Sequence, residues 1–191
     1  ARTVDHEVRV SENVRDRKSR VVVGLDPRLE SIPPEFGSGS KAVLAFNLEI
    51  LRLVRDHVAA VKPQIAFYER LGLPGLEAYV ETCRAARAQG LLVIGDVKRG
   101  DVPETAKAYA EAHFGPFAAD ALTINPYFGR DGIDPFLEAA KKQAGGLFVL
   151  VKTSNPSSKD LQDLDVGGVP LHLKVAEMTL AWGEGLLGES G

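Results

Sequence analysis

Five short apolar runs, at residues 21–25, 58–61, 91–94, 119–124 and 147–151, constrain this chain more than any other feature. They are rich in β-branched residues and leucine and, apart from Asp120 and Thr123, are apolar throughout rather than alternating. That is the signature of strands covered on both faces, as in a parallel sheet. Segments with helical spacing lie between them, at 42–57, 76–89, 102–113 and 133–142. The order β-α-β-α selects an α/β fold, because parallel neighbours need a crossover and a helix supplies it.

The run starts are separated by 37, 33, 28 and 28 residues, the length of a βαβ unit. Eight such units need roughly 250 residues, the usual size of a (β/α)8 TIM barrel. The 191 residues here hold five units and end in or after the fifth helix. On spacing alone, the chain is either an open five-stranded sheet or an incomplete barrel. Residues 1–20 are polar and read as an entry helix or an N-terminal arm, leaving 21–191 as the body of the domain. Gly37-Ser38-Gly39-Ser40 reads as a flexible loop, with Ser40 as a possible N-cap for the helix that follows. Residues 183–191 read as loop.

Composition removes several classes of function. No apolar stretch approaches the roughly 18 residues of a membrane span, so no membrane partner is expected. A net charge of −3 argues against a nucleic-acid partner held by its phosphates. The single cysteine, Cys83, cannot form an intrachain disulfide, and the first residues lack the order of a signal peptide. A cytoplasmic protein is expected.

Polar residues gather just after the runs: Gly24-Leu25-Asp26-Pro27, Val61-Lys62-Pro63-Gln64, Gly95-Asp96-Val97-Lys98-Arg99-Gly100-Asp101, Asn125-Pro126-Tyr127 and Lys152-Thr153-Ser154-Asn155-Pro156. In parallel α/β folds the active site lies at the carboxyl ends of the strands, so these clusters converge on one rim. Asp96-x-Lys98-x-x-Asp101 carries the most chemistry. Residues two apart on a strand share a face, so Asp96 and Lys98 should both face the mouth while Val97 packs outward. Asp101 can add a second anion and Lys62, from the neighbouring strand, a second cation. In an alternating row each charge keeps its neighbours ionised even where water is scarce. Such a row can hold a protonated lysine against a carbon that becomes negative.

Taken singly, these residues have plainer readings. An isolated Asp-x-Lys pair is commonly a surface ion pair, and Asp26-Pro27 or Ser154-Asn155-Pro156 can simply form turns. The four histidines, His6, His57, His113 and His172, fall in the polar arm or in helical segments, away from strand ends. With one cysteine and no paired histidines, no metal site is expected. Cys83 reads as a small core residue. The strand-end glycines form neither a dinucleotide fingerprint nor a Walker loop.

Together the four motifs, Gly24-Leu25-Asp26-Pro27, Val61-Lys62-Pro63-Gln64, Asp96-Val97-Lys98-Arg99-Gly100-Asp101 and Thr153-Ser154-Asn155-Pro156, resemble orotidine 5′-monophosphate decarboxylase, in order and in register. The spelling is closest to the longer bacterial form, and the resemblance runs from about Val21 to the end of the chain. It implies a TIM barrel, a homodimer with shared active sites, no cofactor, and conversion of orotidine monophosphate to uridine monophosphate in pyrimidine biosynthesis. By the same resemblance Asp26 binds the ribose hydroxyls and Lys62 bridges ribose and the charged row. Asp96 sits against the departing carboxylate, and Lys98 protonates the pyrimidine carbon left behind. Asp101 and Thr105 match positions offered to the partner subunit's site, and Ser154 matches a pyrimidine contact. A loop from Thr153 to about Asp165 should be mobile and close over the substrate. The family grips the substrate phosphate through loops after the seventh and eighth strands. Five units do not contain them, so no phosphate ligand is assigned and a truncated barrel is expected. Two alternatives stand beside this reading. One is a magnesium-dependent sugar-phosphate decarboxylase or aldolase sharing Asp-x-Lys-x-x-Asp; the other is a fragment without catalysis.

Overall fold

Each apolar run becomes a strand, and each strand pairs with the one before it. The computed structural model describes residues 6–184. An entry helix α1 (His6–Arg17) leads to β1 (Val22–Leu25), α2 (Gly39–Val54), β2 (Ala60–Pro63), α3 (Ala66–Glu69), α4 (Leu73–Ala88) and β3 (Leu92–Arg99). Then follow α5 (Pro103–Phe114), β4 (Ala121–Ile124), α6 (Arg130–Gln143), β5 (Gly146–Val149), α7 (Lys159–Gln162) and α8 (Leu171–Gly183). The five strands form one parallel sheet in the order β1-β2-β3-β4-β5. This consecutive order is that of a barrel wall, and the architecture is a partial (β/α)8 barrel.

The boundaries differ from the sequence reading in ways that follow from packing. β2 begins at Ala60 and takes in Lys62 and Pro63, whereas Val58 and Ala59 are buried ahead of it. β3 extends past the apolar run through Arg99, so Asp96 and Lys98 lie within the strand, as their two-residue spacing presumes. Helix α2 starts at Gly39 with Ser38 in the extended capping position, which puts Ser40 inside the first turn and corrects the cap assignment. His57 lies in the turn after α2, where its N–H bonds the Val54 carbonyl at 2.8 Å, and not in a helix. α8 includes Gly183, so the C-terminal loop reading fails there; residues 185–191 lie outside the described residues.

The core lies between the sheet and the helices α2, α4, α5 and α6. Every residue of β4 is buried, and Tyr68, Tyr79, Leu51, Phe136 and Ile133 fill the space against the strands. Tyr68 and Tyr79 meet edge to face at 5.2 Å between ring centres. Buried Asn47 donates to the Tyr68 hydroxyl at 2.8 Å and to Thr82 Oγ1 at 3.1 Å, joining α2 to α3 and α4. Cys83 is fully buried among these residues, and burial pushes its thiol up to about 12.

Helix α1 closes the amino-terminal end of the sheet. Arg9 Nη2 reaches Asp120 Oδ1 at 2.5 Å, immediately before β4, while Asp120 Oδ2 accepts the Val93 N–H at 2.9 Å. Arg17 donates to the Arg55 and Gln89 carbonyls, at 3.0 and 3.1 Å. Those carbonyls end α2 and α4, where a cation is favoured by the helix dipole. The opposite, carboxyl end of the strands is left for chemistry.

Candidate active site

The centre of the carboxyl rim is one carboxylate held by two ammonium groups. Lys62 on β2 reaches Asp96 Oδ2 at 2.9 Å, and Lys98 reaches Asp96 Oδ1 at 2.5 Å. Asp96 is only 6% exposed, whereas the Lys62 and Lys98 side chains are 35% and 47% exposed. The anion is therefore fixed in the wall and the cations lean into the mouth. Burial by itself raises the Asp96 carboxyl, but hydrogen bonds from Lys98, Lys62 and Thr123 outweigh it and hold the group below the ordinary aspartate value. Asp96 is thus ionised at neutral pH, and each of its two oxygens accepts a charge-assisted hydrogen bond from one lysine.

Asp96 and Lys98 do meet, as the sequence reading expects, but not through a regular pleat. Lys98 has a left-handed backbone, φ +47°, a region that costs a residue other than glycine on the order of 1–2 kcal/mol. The ladder between β3 and β4 pairs Gly95 with Leu122 and then Arg99 with Ile124, so Asp96, Val97 and Lys98 face the single Thr123. This is an extended bulge. It turns Val97 into the core, where it is 3% exposed, and throws Lys98 forward. Thr123 was legible in the sequence only as a strand residue. Its hydroxyl accepts the N–H groups of Val97 and Lys98 at 2.9 and 3.0 Å and donates to Asp96 Oδ1 at 3.0 Å.

The turn after β3 is held by close approach. At Gly100 a Cβ would stand 2.7 Å from the Asn125 carbonyl oxygen, so this position admits only glycine without a shift of backbone. Arg99 pairs with Glu69 after β2 and lies 5.3 Å over the Tyr109 ring on α5. It thereby ties the loops after β2 and β3 together.

The remaining candidates stand around this centre rather than in it. Asp26 is exposed just past β1, beside a 470 Å³ pocket lined by Gly24, Arg28, Phe46 and Ile50. Asp101 accepts the Val102 N–H at 2.7 Å, and Thr105 is exposed on α5. Among the described residues neither Asp26 nor Asp101 forms an ion pair with Lys62 or Lys98, so the row within this chain is Lys62–Asp96–Lys98. Exposed Ser154 belongs to the segment after β5.

That segment is not the open loop the sequence suggests. It contains a 3-10 turn (Pro156–Ser158) and α7. Gln162 explains the order: its Oε1 accepts the Thr153 N–H at 2.9 Å and its Nε2 donates to Thr153 Oγ1 at 2.8 Å. Lys152 pairs with Asp163, and His172 Nδ1 stands 2.9 Å from the Gln162 carbonyl oxygen. The result is a 480 Å³ pocket lined by Asn125, Tyr127, Thr153, Gln162, His172 and Trp182. No group of three or more histidine, cysteine or acidic residues is placed to hold a metal ion among the described residues. Nor is any described helix long and apolar enough to cross a membrane.

Comparison with known proteins gives a consistent result. The model of the Orotidine 5′-phosphate decarboxylase / HUMPS family matches residues 19–187. An orotidine 5′-phosphate decarboxylase of Clostridium perfringens is 45% identical over 182 residues, covering 92% of this chain and 63% of its own length. One from Deinococcus radiodurans is 47% identical over 155 residues, covering 80% of this chain and 55% of its own. The structure of Leishmania donovani OMP decarboxylase superposes with a TM-score of 0.83 at 35% identity, covering 97% of this chain and 69% of that one. The chain thus spans less than two thirds of the length of these curated relatives.

Proposed function

This chain belongs to the Orotidine 5′-phosphate decarboxylase / HUMPS family, and on that premise we propose that it carries the charged core of an enzyme converting orotidine 5′-monophosphate to uridine 5′-monophosphate. The observation that carries the reading is the Lys62–Asp96–Lys98 row, one buried carboxylate gripped on both oxygens by lysines that face the mouth. In the proposed reaction the bond between the pyrimidine ring and its carboxylate breaks, carbon dioxide leaves, and the electron pair stays on the ring carbon. Asp96 faces the departing carboxylate and disfavours its charge in the bound substrate. The Lys98 ammonium stabilises the developing carbanion and then gives it a proton, and solvent restores the lysine. No cofactor is called for, since the row itself supplies field and proton.

In this reading Asp26 takes the ribose hydroxyls, Lys62 bridges ribose and row, and Ser154 contacts the pyrimidine. Asp101 and Thr105 serve the site of a second subunit, supported by their position beyond β3 and on the exposed side of α5, outside their own chain's row. A cytoplasmic homodimer completes the proposal. The magnesium-dependent alternative is disfavoured by Lys62, whose ammonium lies 2.9 Å from the Asp96 oxygen that a cation would approach.

The deciding experiment measures decarboxylation by the protein in its full natural length and by its Lys98→Ala variant. Turnover that survives EDTA and is abolished in a folded Lys98→Ala protein is expected. Substantial turnover without Lys98, or strict dependence on magnesium, overturns the reading. Mixing Lys98→Ala and Asp101→Ala subunits tests sharing. About half the dimers are mixed and each carries one intact site, so roughly a quarter of all sites recover under two-fold symmetry. Rates equal to the sum of the two mutants refute it.

A further inference from the structure

We infer that Thr123 is a positioning residue, whose hydroxyl sets the place and direction of Lys98 by bonding the bulge that carries it. The inference rests on the reading that Lys98 is the proton donor, and its structural half can be tested without that reading.

The bulge in β3 leaves backbone groups without ladder partners. Three residues of β3 face one of β4 between the Gly95–Leu122 and Arg99–Ile124 pairs, so the ladder has no carbonyl to offer the Val97 and Lys98 N–H groups. Val97 is buried, and a buried N–H without a partner is rare in folded proteins. The Thr123 hydroxyl supplies both bonds, at 2.9 and 3.0 Å, and these use its two lone pairs. Its single proton goes to Asp96 Oδ1 at 3.0 Å, the oxygen that Lys98 Nζ also holds. One side chain, 9% exposed, thus fixes both ends of the Lys98 residue: the backbone nitrogen directly, and the ammonium through the shared carboxylate oxygen.

The bonding state of Thr123 is complete, so each bond also orients the others. Its hydroxyl hydrogen cannot turn away from Asp96 without facing two N–H donors. Valine matches threonine in shape but offers neither lone pairs nor a proton. Serine keeps the hydroxyl and lacks the methyl. These two substitutions separate positioning from packing. If Thr123 matters for packing alone, serine is the damaging change and valine is mild; if it positions Lys98, the order is reversed.

The test compares Thr123→Val and Thr123→Ser by two measurements. In unliganded protein, carboxyl-carbon NMR follows the titration of Asp96, whose depressed midpoint depends in part on the Thr123 bond. The midpoint is expected to rise in Thr123→Val and to stay close to that of the parent in Thr123→Ser. In the protein of full natural length, kcat for decarboxylation is expected to fall about 10- to 100-fold in Thr123→Val, with KM changed less than about threefold. Thr123→Ser should stay within about threefold of the parent. Should Thr123→Val fail to fold, Thr123→Ala replaces it, since alanine and serine both lose the methyl and only alanine loses the hydroxyl. An unmoved Asp96 titration in the variant lacking the hydroxyl overturns the geometric claim whatever the enzyme's activity. A moved titration with unchanged kcat, in an active parent, overturns the positioning role. A parent that does not decarboxylate refutes the functional reading and the positioning role that rests on it, and leaves the titration to decide the geometry alone.

Discussion

Replacing Asp96 by asparagine should remove chemistry while leaving the fold nearly as stable as before. Breaking a buried ion pair ordinarily costs about 3–5 kcal/mol, because the surviving charge is stranded without solvent. Here the survivors are lysines, 35% and 47% exposed, so water can take over from the lost carboxylate. Each pair is therefore worth about 1 kcal/mol, at the upper end of the range for surface ion pairs. The asparagine oxygen still accepts the Thr123 hydroxyl, and the cost of burying a carboxylate disappears. The net loss should be below about 2 kcal/mol, a melting shift of no more than about 8 °C at 2–4 °C per kcal/mol for a domain of this size. In the proposed reaction the same change removes a preorganised charge, which costs about 10²–10³ in rate. Thermal melts of unliganded protein and the absorbance change of substrate turnover measure the two quantities. Turnover within tenfold of the parent would refute the role of Asp96, and a melting loss above about 15 °C would show that the row is a structural bridge.

Two further outcomes follow from the packing. His113 is 2% exposed, and burial pushes its imidazole down to about 4. The unfolded chain takes up a proton near pH 6.5 and the native one does not, so the stability present above pH 6.5 is lost as pH falls toward 4. The loss is about 3 kcal/mol by pH 4, and His113→Phe should flatten that part of a urea-denaturation profile; an unchanged slope counts against the buried neutral imidazole. Gly100→Ala forces a Cβ to within 2.7 Å of the Asn125 carbonyl oxygen and should cost about 1–3 kcal/mol in urea. Gly24→Ala, whose Cβ meets only Asp26 Oδ1 at 3.9 Å, serves as the control and should cost under about 1 kcal/mol, as the strand itself tolerates alanine.

The strands and main helices were legible because apolar periodicity reports burial directly. Their limits were less so. Val58 and Ala59 are buried without belonging to β2, while Lys62 and Pro63 belong to it despite breaking the apolar run. Burial and ladder pairing are different properties, and a hydrophobic pattern reads the first. α3 and α7 escaped because four residues are too few to show a helical period. At the site, the charges of Asp96, Lys98 and Lys62 announced themselves by their place at strand ends. The bulge did not, since a two-residue slip in register leaves no mark in one strand's composition. Thr123 therefore looked like an ordinary β-branched strand former, and only the three-dimensional pairing shows what its hydroxyl binds.

The consecutive strand order also bears on how the chain can be made. Val22 pairs with Ala60, Ala60 with Leu92, Ile94 with Ala121 and Ala121 with Gly146, each partner about thirty residues farther along the chain. Among the five described strands, none must wait for a distant one before it can bond. As the ribosome releases the polypeptide at about 5–20 residues per second, the sheet partner of each new strand has already been synthesised. The charged row can assemble at the second such addition, when β3 joins β2, and its bulge can close at the third, when β4 delivers Thr123. Such connectivity lets the sheet grow in the direction of translation, with each edge open as a docking surface for the strand that follows.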